Sequence, residues 1–453
     1  MPILFQSTNN HSKPVSFKTA LLSGLAPDKG LFLPTDYPVF SKELIHDFHR
    51  MSYPELACSL LYPFLSDDIT EQKCFHLAER AYDFEVPLER IDGNRYLLRL
   101  DRGPTHSFKD FGARMMALLM EHVRQNESGK LIVLTATSGD TGGAIASAFL
   151  NMDNIEVVVL FPRDEISNQQ RKQMTTLGKN IQSIAIEGKF DDCQALVKQA
   201  FADPDLTSLN LTSANSINIG RLLPQSVYYF WAFTRTALSH GKPVIFSIPS
   251  GNFGNACGCL FAKRMGLPVS KLVLPTNSND SFTRFLKTGI YRKTEPSVPC
   301  ISSAMNVGHP SNLARIITLY GGTMDEEGNL LRKPDFDSMI GDIFSVSISE
   351  EKTRETIHRF YREFGVMLEP HGAVGLAGLE HFLAEESREP EQNHQMISLE
   401  TAHPAKFPEE IRKILSMEPD QPESFAEQER KNEVFEVMDR KYQTFKEYLL
   451  SNK

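Results

Sequence analysis

A chain of 453 residues has room for roughly two to three domains. With 41% hydrophobic and 23% charged residues it has the composition of a globular protein with a sizeable core. A formal net charge of −9 argues against nucleic acid or an anionic membrane surface as the main partner.

Other broad features narrow the class. Cys58, Cys74, Cys193, Cys257, Cys259 and Cys300 fall into no paired spacing, so buried free thiols are expected, with no disulfide framework and no metal. No stretch approaches the roughly 20 apolar residues of a membrane span. The opening MPILFQSTNNHSKP lacks the apolar centre of a secretory leader. These features lead to the expectation of a cytoplasmic protein.

In chain order, residues 1–100 read as an α+β region. Turn residues at Pro27–Gly30 break an apolar run, helices are expected over Tyr53–Leu65 and Ile69–Phe84, and Tyr96–Leu100 alternates weakly like a strand. From about residue 105 the rhythm becomes strand, turn, helix. Expected strands are Leu131–Ala136, Ile155–Phe161, Ile181–Ile186, Val244–Ile248 and Leu272–Leu274. Expected helices are Lys109–Val123, Ala144–Leu150, one from Ser167 and Asp191–Phe201. Continuous apolar strands alternating with helices imply an open parallel sheet covered on both faces. From Met417 to Lys453 the chain is strongly charged, yet Phe425, Val434, Phe435, Val437, Met438, Tyr442, Phe445 and Tyr448 give it the apolar stripe of a docked surface helix.

Two glycine-rich turns follow predicted strands. S-G-D-T-G-G (138–143) comes after Leu131–Ala136, and S-G-N-F-G-N (250–255) after Val244–Ile248. At the carboxyl end of a parallel strand, a helix start offers free N–H groups and a partial positive charge. Gly139, Gly142, Gly143, Gly251 and Gly254 let an anion approach the backbone, and Ser138, Thr141, Asn252 and Asn255 add donors. Neither turn has the dinucleotide or P-loop spacing. Lys109 sits at a helix start between Phe108 and Phe111; a dipole and an apolar wall both favour the neutral amine that imine chemistry needs. Lysine, two anion cradles and the late hydroxyl of Thr401 are parts suited to pyridoxal phosphate and a small anionic amino acid.

T-H-S-F-K-D-F-G-A-R, T-S-G-D-T-G, N-S-I-N-I-G-R-L-L-P-Q, S-G-N-F-G-N, E-P-H-G-A-V-G and T-A-H-P-A-K-F, in this order, together resemble the threonine synthases, in the longer branch found in enteric bacteria and yeast. The likeness spans about residues 17 to 415 and includes G-L-A-P-D-K-G-L-F-L-P near the start. It implies a pyridoxal-phosphate fold of the tryptophan-synthase β type, with two open parallel-sheet α/β domains and an N-terminal α+β region. On that reading residues 1–100 pack on the large domain. Residues 101–235 form a smaller mobile domain with the lysine and the substrate-carboxylate loop. Residues 236–453 form the large domain with the cofactor-phosphate loop and the helical tail.

The resemblance also implies roles. Lys109 would form the internal Schiff base and act as the mobile base. Gly251, Asn252, Phe253 and Asn255 would hold the cofactor phosphate, and Thr401 would meet the pyridine nitrogen. A hydroxyl there would not keep that nitrogen protonated as a carboxylate does, which suits elimination and replacement better than transamination. Thr137, Ser138, Gly139, Asp140 and Thr141 would form the substrate-carboxylate loop, with Asp140 turned toward the cofactor phenol or imine. His106, Ser107, Lys109, Arg114, Asn215, Ser216 and above all Arg221 are candidates for the substrate phosphate. The implied reaction converts O-phospho-L-homoserine and water to L-threonine and phosphate, by a monomer or homodimer. The alternatives are a phospholyase releasing 2-oxobutyrate, ammonia and phosphate, or a non-catalytic relative. Three places depart from the family pattern: Asn255 for Asp, Glu369-Pro370-His371-Gly372 for Asp-Pro-His-Thr, and Glu400 for a small residue.

Overall fold

The computed structural model describes residues 2–125, 127, 129–236, 242–386 and 393–451, so Lys453 at the end of the expected tail helix lies outside the described residues. Two parallel sheets organise it. The first has five strands in the order Glu436–Met438, Ile181–Ile186, Ile155–Pro162, Leu131–Ala136, Asn210–Ser213, all parallel. The second has six, in the order Ile343–Phe344, Val269–Val273, Val244–Ser247, Gln395–Glu400, Arg95–Arg99, Leu88–Asp92; only the last pairing is antiparallel. Every residue of Leu131–Ala136, Ile155–Pro162, Val244–Ser247 and Gln395–Glu400 is buried, as strands with helices on both faces require.

The strand order decides where a ligand goes. Leu131–Ala136 has the chain's next strand, Ile155–Pro162, on one side and Asn210–Ser213 on the other. Val244–Ser247 has its successor Val269–Val273 on one side and Gln395–Glu400 on the other. Each is a switch point, where helices leave the sheet on opposite faces and open a crevice beyond the strand's carboxyl end. Both glycine-rich turns stand at these ends.

Most expected elements fall within a residue or two of the observed ones, Leu131–Ala136 and Ile181–Ile186 without any shift. Helix Tyr53–Leu65 starts at a capping box in which Ser52 and Glu55 satisfy each other's backbone N–H. The observed organisation differs from the expected one in two respects. First, residues 88–99 do not only pack on the large sheet from within the N-terminal region: Leu88–Asp92 and Arg95–Arg99 are two of its six strands. Second, the tail does not belong to the large sheet and is not one helix. It runs as Glu423–Glu429, the strand Glu436–Met438 and Tyr442–Ser451, and its strand pairs with Ile181–Ile186 of the five-stranded sheet. The stripe divides because Phe425, Phe445 and Leu449 are buried by the two helices, while Val437 in the edge strand and Val434 just before it stay exposed.

The N-terminal helices bury an aromatic cluster of Tyr53, Tyr82, Phe111 and Trp231, with Tyr53–Tyr82 centroids 4.9 Å apart. Phe111, in the first turn of the Lys109–Val123 helix, faces this cluster and not the cleft as expected. Arg315, fully buried, ties the regions together by donating to the carbonyls of Phe32, Ser216 and Ile217. The cysteines are free, and all but the partly exposed Cys300 are buried. Among the described residues no helix is long and apolar enough to cross a membrane.

If the tail is an integral part of the five-stranded unit, Phe445→Ala is expected to cost about 3–5 kcal/mol in chemical denaturation. An unchanged midpoint would mean that the tail contributes no packing.

Candidate active site

Lys109 is positioned by its neighbours before it is positioned by any ligand. Asp110 accepts from the backbone N–H of Thr105 at 2.9 Å and from its hydroxyl at 2.6 Å, closing the loop that precedes the helix. The Lys109 ammonium lies 4.9 Å above the Phe108 ring and 3.6 Å from Asp140 Oδ2. Burial pushes its pKa down, Asp140 pulls it up, and Lys406 and Arg221 add to the depression.

Asp140 stands between two lysines. Its Oδ1 meets Lys406 Nζ at 2.8 Å and accepts from Gln170 Nε2 at 3.0 Å. Burial alone would raise its pKa, but Lys406 and Lys109 hold the carboxyl far below the ordinary range. Lys406 has no exposed surface and also donates to the carbonyl of Thr105 at 3.0 Å. The sequence reading quoted T-A-H-P-A-K-F without assigning this lysine a role. A cation five residues beyond Thr401, in the same motif, was the available signal.

The 138–143 turn folds around Thr137, whose hydroxyl accepts from the N–H groups of Gly139 and Gly142 at 2.9 and 2.8 Å. Thr137, Ser138, Asp140 and Thr141 line the cleft; Gly139 does not. It turns at φ +130°, with its Cβ position 2.4 Å from the Gln170 side chain, so it shapes the loop from behind. On the opposite wall the helix Gly254–Arg264 begins after Phe253, which takes the left-handed φ of 58°. A non-glycine residue there stores about 1–3 kcal/mol of strain. A Cβ on Gly251 would come within 2.7 Å of Met305 Cα, so only glycine allows this wall to close.

Gly251, Asn252, Phe253 and Asn255 all line the cleft. The Asn252 side chain spans it, donating to Ser216 Oγ at 2.7 Å and accepting from the Ser311 N–H at 2.6 Å. The hydroxyls of Tyr228 and Tyr229 both donate to Asn255 Oδ1, which fixes the amide orientation and leaves buried Nδ2 without a partner. An aspartate here would offer no donor to an anion. Arg221, also in the lining, is 2% exposed. It donates Nη1 to the Ala214 carbonyl at 2.6 Å, its Nε is unpartnered, and it makes no ion pair among the described residues. Burial pushes it down to about 10, which leaves it charged at neutral pH. An unneutralised buried guanidinium and an orphaned amide are strong signs of an anionic ligand. Asn215 and Ser216 stand beside it, and Thr401 closes the floor.

Three candidates lie elsewhere. His106 is held away from the cleft by the tail: its Nε2 meets Ser424 Oγ at 2.8 Å and its ring packs on Phe425. Burial pushes it down to about 4, so the ring is neutral at physiological pH. Ser107 pairs its backbone with Ala402, and its buried hydroxyl has no partner. Arg114 lies farther along the helix, donating to the carbonyls of Arg80 and Ala81 and to Asp83. Asn218 is structural, bridging the carbonyls of Leu21 and Ser213. The cleft, of about 1040 Å³ including its open mouth, also gains Phe190, Gln194 and His309, which nothing in their local sequence marks, and His371, whose motif E-P-H-G-A-V-G was quoted without a role for the histidine.

Comparison with known proteins agrees with this geometry. Residues 84–398 match the family described as "Pyridoxal-phosphate dependent enzyme". Residues 4–82 match "Threonine synthase N terminus", and 372–449 match "Threonine synthase, C-terminal". The chain belongs to the threonine synthase family. It is 37% identical over 399 residues to the threonine synthase of Escherichia coli K12, covering 88% of each chain. It is 34% identical over 452 residues to that of Saccharomyces cerevisiae, covering 89% of this chain and 87% of the yeast protein. A crystal structure of PLP-bound threonine synthase from Brucella melitensis superposes with a TM-score of 0.89 at 33% identity, over 99% of this chain and 98% of that one.

Two of the departures from the family pattern are in contact. A Cβ on Gly372 would lie 1.7 Å from Glu400 Oε2, so the Glu400 carboxyl fills the space that a side chain at 372 needs. Gly372→Ala alone is expected to lose about 1–3 kcal/mol by overpacking. With Glu400→Ala in the same chain the two losses should fail to add, by about 1 kcal/mol or more in a denaturation cycle. Simple additivity would uncouple the two positions.

Proposed function

We propose that this cleft carries out the threonine synthase reaction, O-phospho-L-homoserine and water to L-threonine and phosphate, with Lys109 as the residue that attaches pyridoxal phosphate and moves the protons. The observation that carries this reading is the Lys109 amine, largely buried at the cleft, its pKa depressed by that burial, and held 3.6 Å from ionised Asp140 between two glycine-rich helix starts. The residues present suit the cofactor: the Asn255 amide is unpartnered in the cleft lining, where a phosphate needs a donor, and the wall carrying it closes against Met305 only because Gly251 has no Cβ.

When bound, pyridoxal phosphate supplies an electron sink for charge developing on the substrate carbons. Gly251, Asn252, Phe253 and Asn255 hold its phosphate, and Thr401 meets its ring nitrogen. Thr137, Ser138 and Thr141 take the substrate carboxylate at a helix start, with Gly139 shaping the turn. Arg221, helped by Asn215 and Ser216, takes the phosphate that leaves. Lys109 Nζ, as the neutral amine, accepts protons from substrate carbon and returns them, and Asp140 holds the resulting ammonium in place. Lys406 keeps Asp140 ionised throughout. Closure of the two walls excludes water other than the reacting molecule. We further propose a cytoplasmic enzyme that acts on this small molecule as a monomer or homodimer.

Purified protein given O-phospho-L-homoserine is expected to release phosphate and L-threonine one for one. Phosphate accompanied by 2-oxobutyrate would make it a phospholyase, and no phosphate at all would refute the substrate. Lys109→Ala should keep the thermal midpoint of the fold but lose the visible absorption band and turnover; an unchanged spectrum would remove Lys109 from its role. Arg221→Lys, which keeps charge but loses the planar fork, is expected to raise KM about tenfold or more, the worth of a charge-assisted hydrogen bond.

A further inference from the structure

Glu369 precedes the helix Pro370–Glu385 and has no exposed surface. Its carboxyl oxygens receive donors on both sides. Oε2 accepts from the His371 N–H at 2.7 Å and from His371 Nδ1. Oε1 accepts from the Gly372 N–H at 2.9 Å and from the Thr401 hydroxyl at 3.0 Å. The backbone donors cannot reverse. Neither can the ring, because His371 Nε2 accepts the Ala304 N–H at 3.0 Å, which leaves the ring proton on Nδ1, facing Glu369. Every partner of this carboxyl is a donor, so a proton on it would find no acceptor. Thr401 has a single hydroxyl proton, and that proton goes to Glu369. Toward the cleft, which it lines, Thr401 therefore presents only lone pairs.

Behind Glu369 lies a second buried carboxyl. Glu400 Oε1 accepts the Glu369 N–H at 2.7 Å, and Oε2 has no partner. Burial drives Glu400 well above the ordinary carboxylate range; Glu369 and Asp101 add to this, and Arg99, itself paired with Asp101 through Nε at 3.0 Å, opposes it. With donors concentrated on Glu369 and an orphaned oxygen on Glu400, the single proton of the pair belongs to Glu400.

We infer that Glu369 is a positioning residue that sets the polarity of Thr401, so that the hydroxyl acts as an acceptor and the cofactor ring nitrogen bound there carries a proton, with neutral Glu400 leaving the negative charge on Glu369. This rests on the cofactor reading above and reverses what a hydroxyl alone implies. Backed by a carboxylate, the hydroxyl oxygen becomes a stronger acceptor, because hydrogen bonds in a chain polarise one another.

The test is 15N NMR of the full-length protein reconstituted with pyridoxal phosphate labelled at the ring nitrogen. The parent is expected to show a pyridinium resonance that moves to the pyridine range in Glu369→Gln and stays in place in Glu400→Gln, where the replaced group is already neutral. A pyridine resonance in the parent overturns the inference, as does an unmoved resonance in Glu369→Gln. Should that variant fail to fold, the parent resonance alone decides. Failure of the parent to bind the cofactor overturns the inference together with the reading it rests on. Cofactor-free protein locates the proton independently. A carboxyl whose pKa is raised on folding contributes stability below its unfolded value, about 4.3, that is lost as pH rises toward the folded value. The parent should therefore lose stability relative to Glu400→Gln above that pH. Parallel stability curves for the two would take the proton off Glu400.

Discussion

The structure turns on a carboxylate that has no business being dry. Asp140 is 2% exposed, and its charge is tolerable only because Lys406 lies 2.8 Å away on one side and Lys109 3.6 Å away on the other. These three residues come from separate parts of the chain: Asp140 opens the helix after the strand Leu131–Ala136 of one sheet, Lys109 starts the helix before that strand, and Lys406 follows the last strand in chain order of the other sheet. Their attraction therefore draws the two sheets' carboxyl ends together and defines the cleft. Removal of Asp140 or Lys406 would leave a buried charge poorly compensated, the costly case for an ion pair in a low-dielectric interior, whereas without Lys109 the Asp140 carboxylate keeps Lys406 at 2.8 Å. Lys406, with no exposed surface, holds Asp140 while the Lys109 amine remains the member available to change its bonding.

The same economy of charge runs along both walls. Arg221 is buried without an ionic partner among the described residues, and the amide of Asn255 ends in an unpaired NH2. Phe253 sits in a left-handed conformation that the helix start behind it requires. Each is unfavourable in an empty protein. Together they form donors and backbone geometry set in advance for anions, so that binding does not have to organise them. On the floor, Glu369 and Glu400 divide a proton so that a single negative charge stands behind Thr401. Family departures at 372 and 400 join this arrangement: the carboxyl of Glu400 occupies the volume a side chain at Gly372 would fill.

Much of the fold was legible in the sequence because its strands are fully buried and nearly all apolar, and its helices begin at glycine-rich turns. The strands that escaped were those with weaker local signals. Asn210–Ser213 is short and polar, Leu88–Asp92 carries charges at a sheet edge, Gln395–Glu400 has polar residues among its apolar ones, and Glu436–Met438 lies within an acidic tail whose apolar residues also fit a helical spacing. Only pairing with Ile181–Ile186 distinguishes that last strand from a helix. For the site, the order of motifs brought Lys109, the two turns and Thr401 into consideration, but it placed His106 and Ser107 beside them because they adjoin Lys109 in sequence. In space His106 packs under the tail, held by Ser424 and Phe425 from more than 300 residues away, at a separation of 318 for the hydrogen bond.

The sequence by itself determined the class of chemistry and the elements that carry it: a lysine at a helix start, glycines where strand turns into helix, and hydroxyls and amides beside them. These are local facts, set by backbone conformation and by which side chains a turn can hold. Tertiary structure decided which charges face one another. Asp140 became an ionised link between two lysines, Lys406 entered the site, Gly372 and Glu400 became one packing unit, and Thr401 acquired a carboxylate behind it. The energy of a buried charge depends on partners a few ångströms away and on the exclusion of water, and neither distance nor dryness is written along a chain.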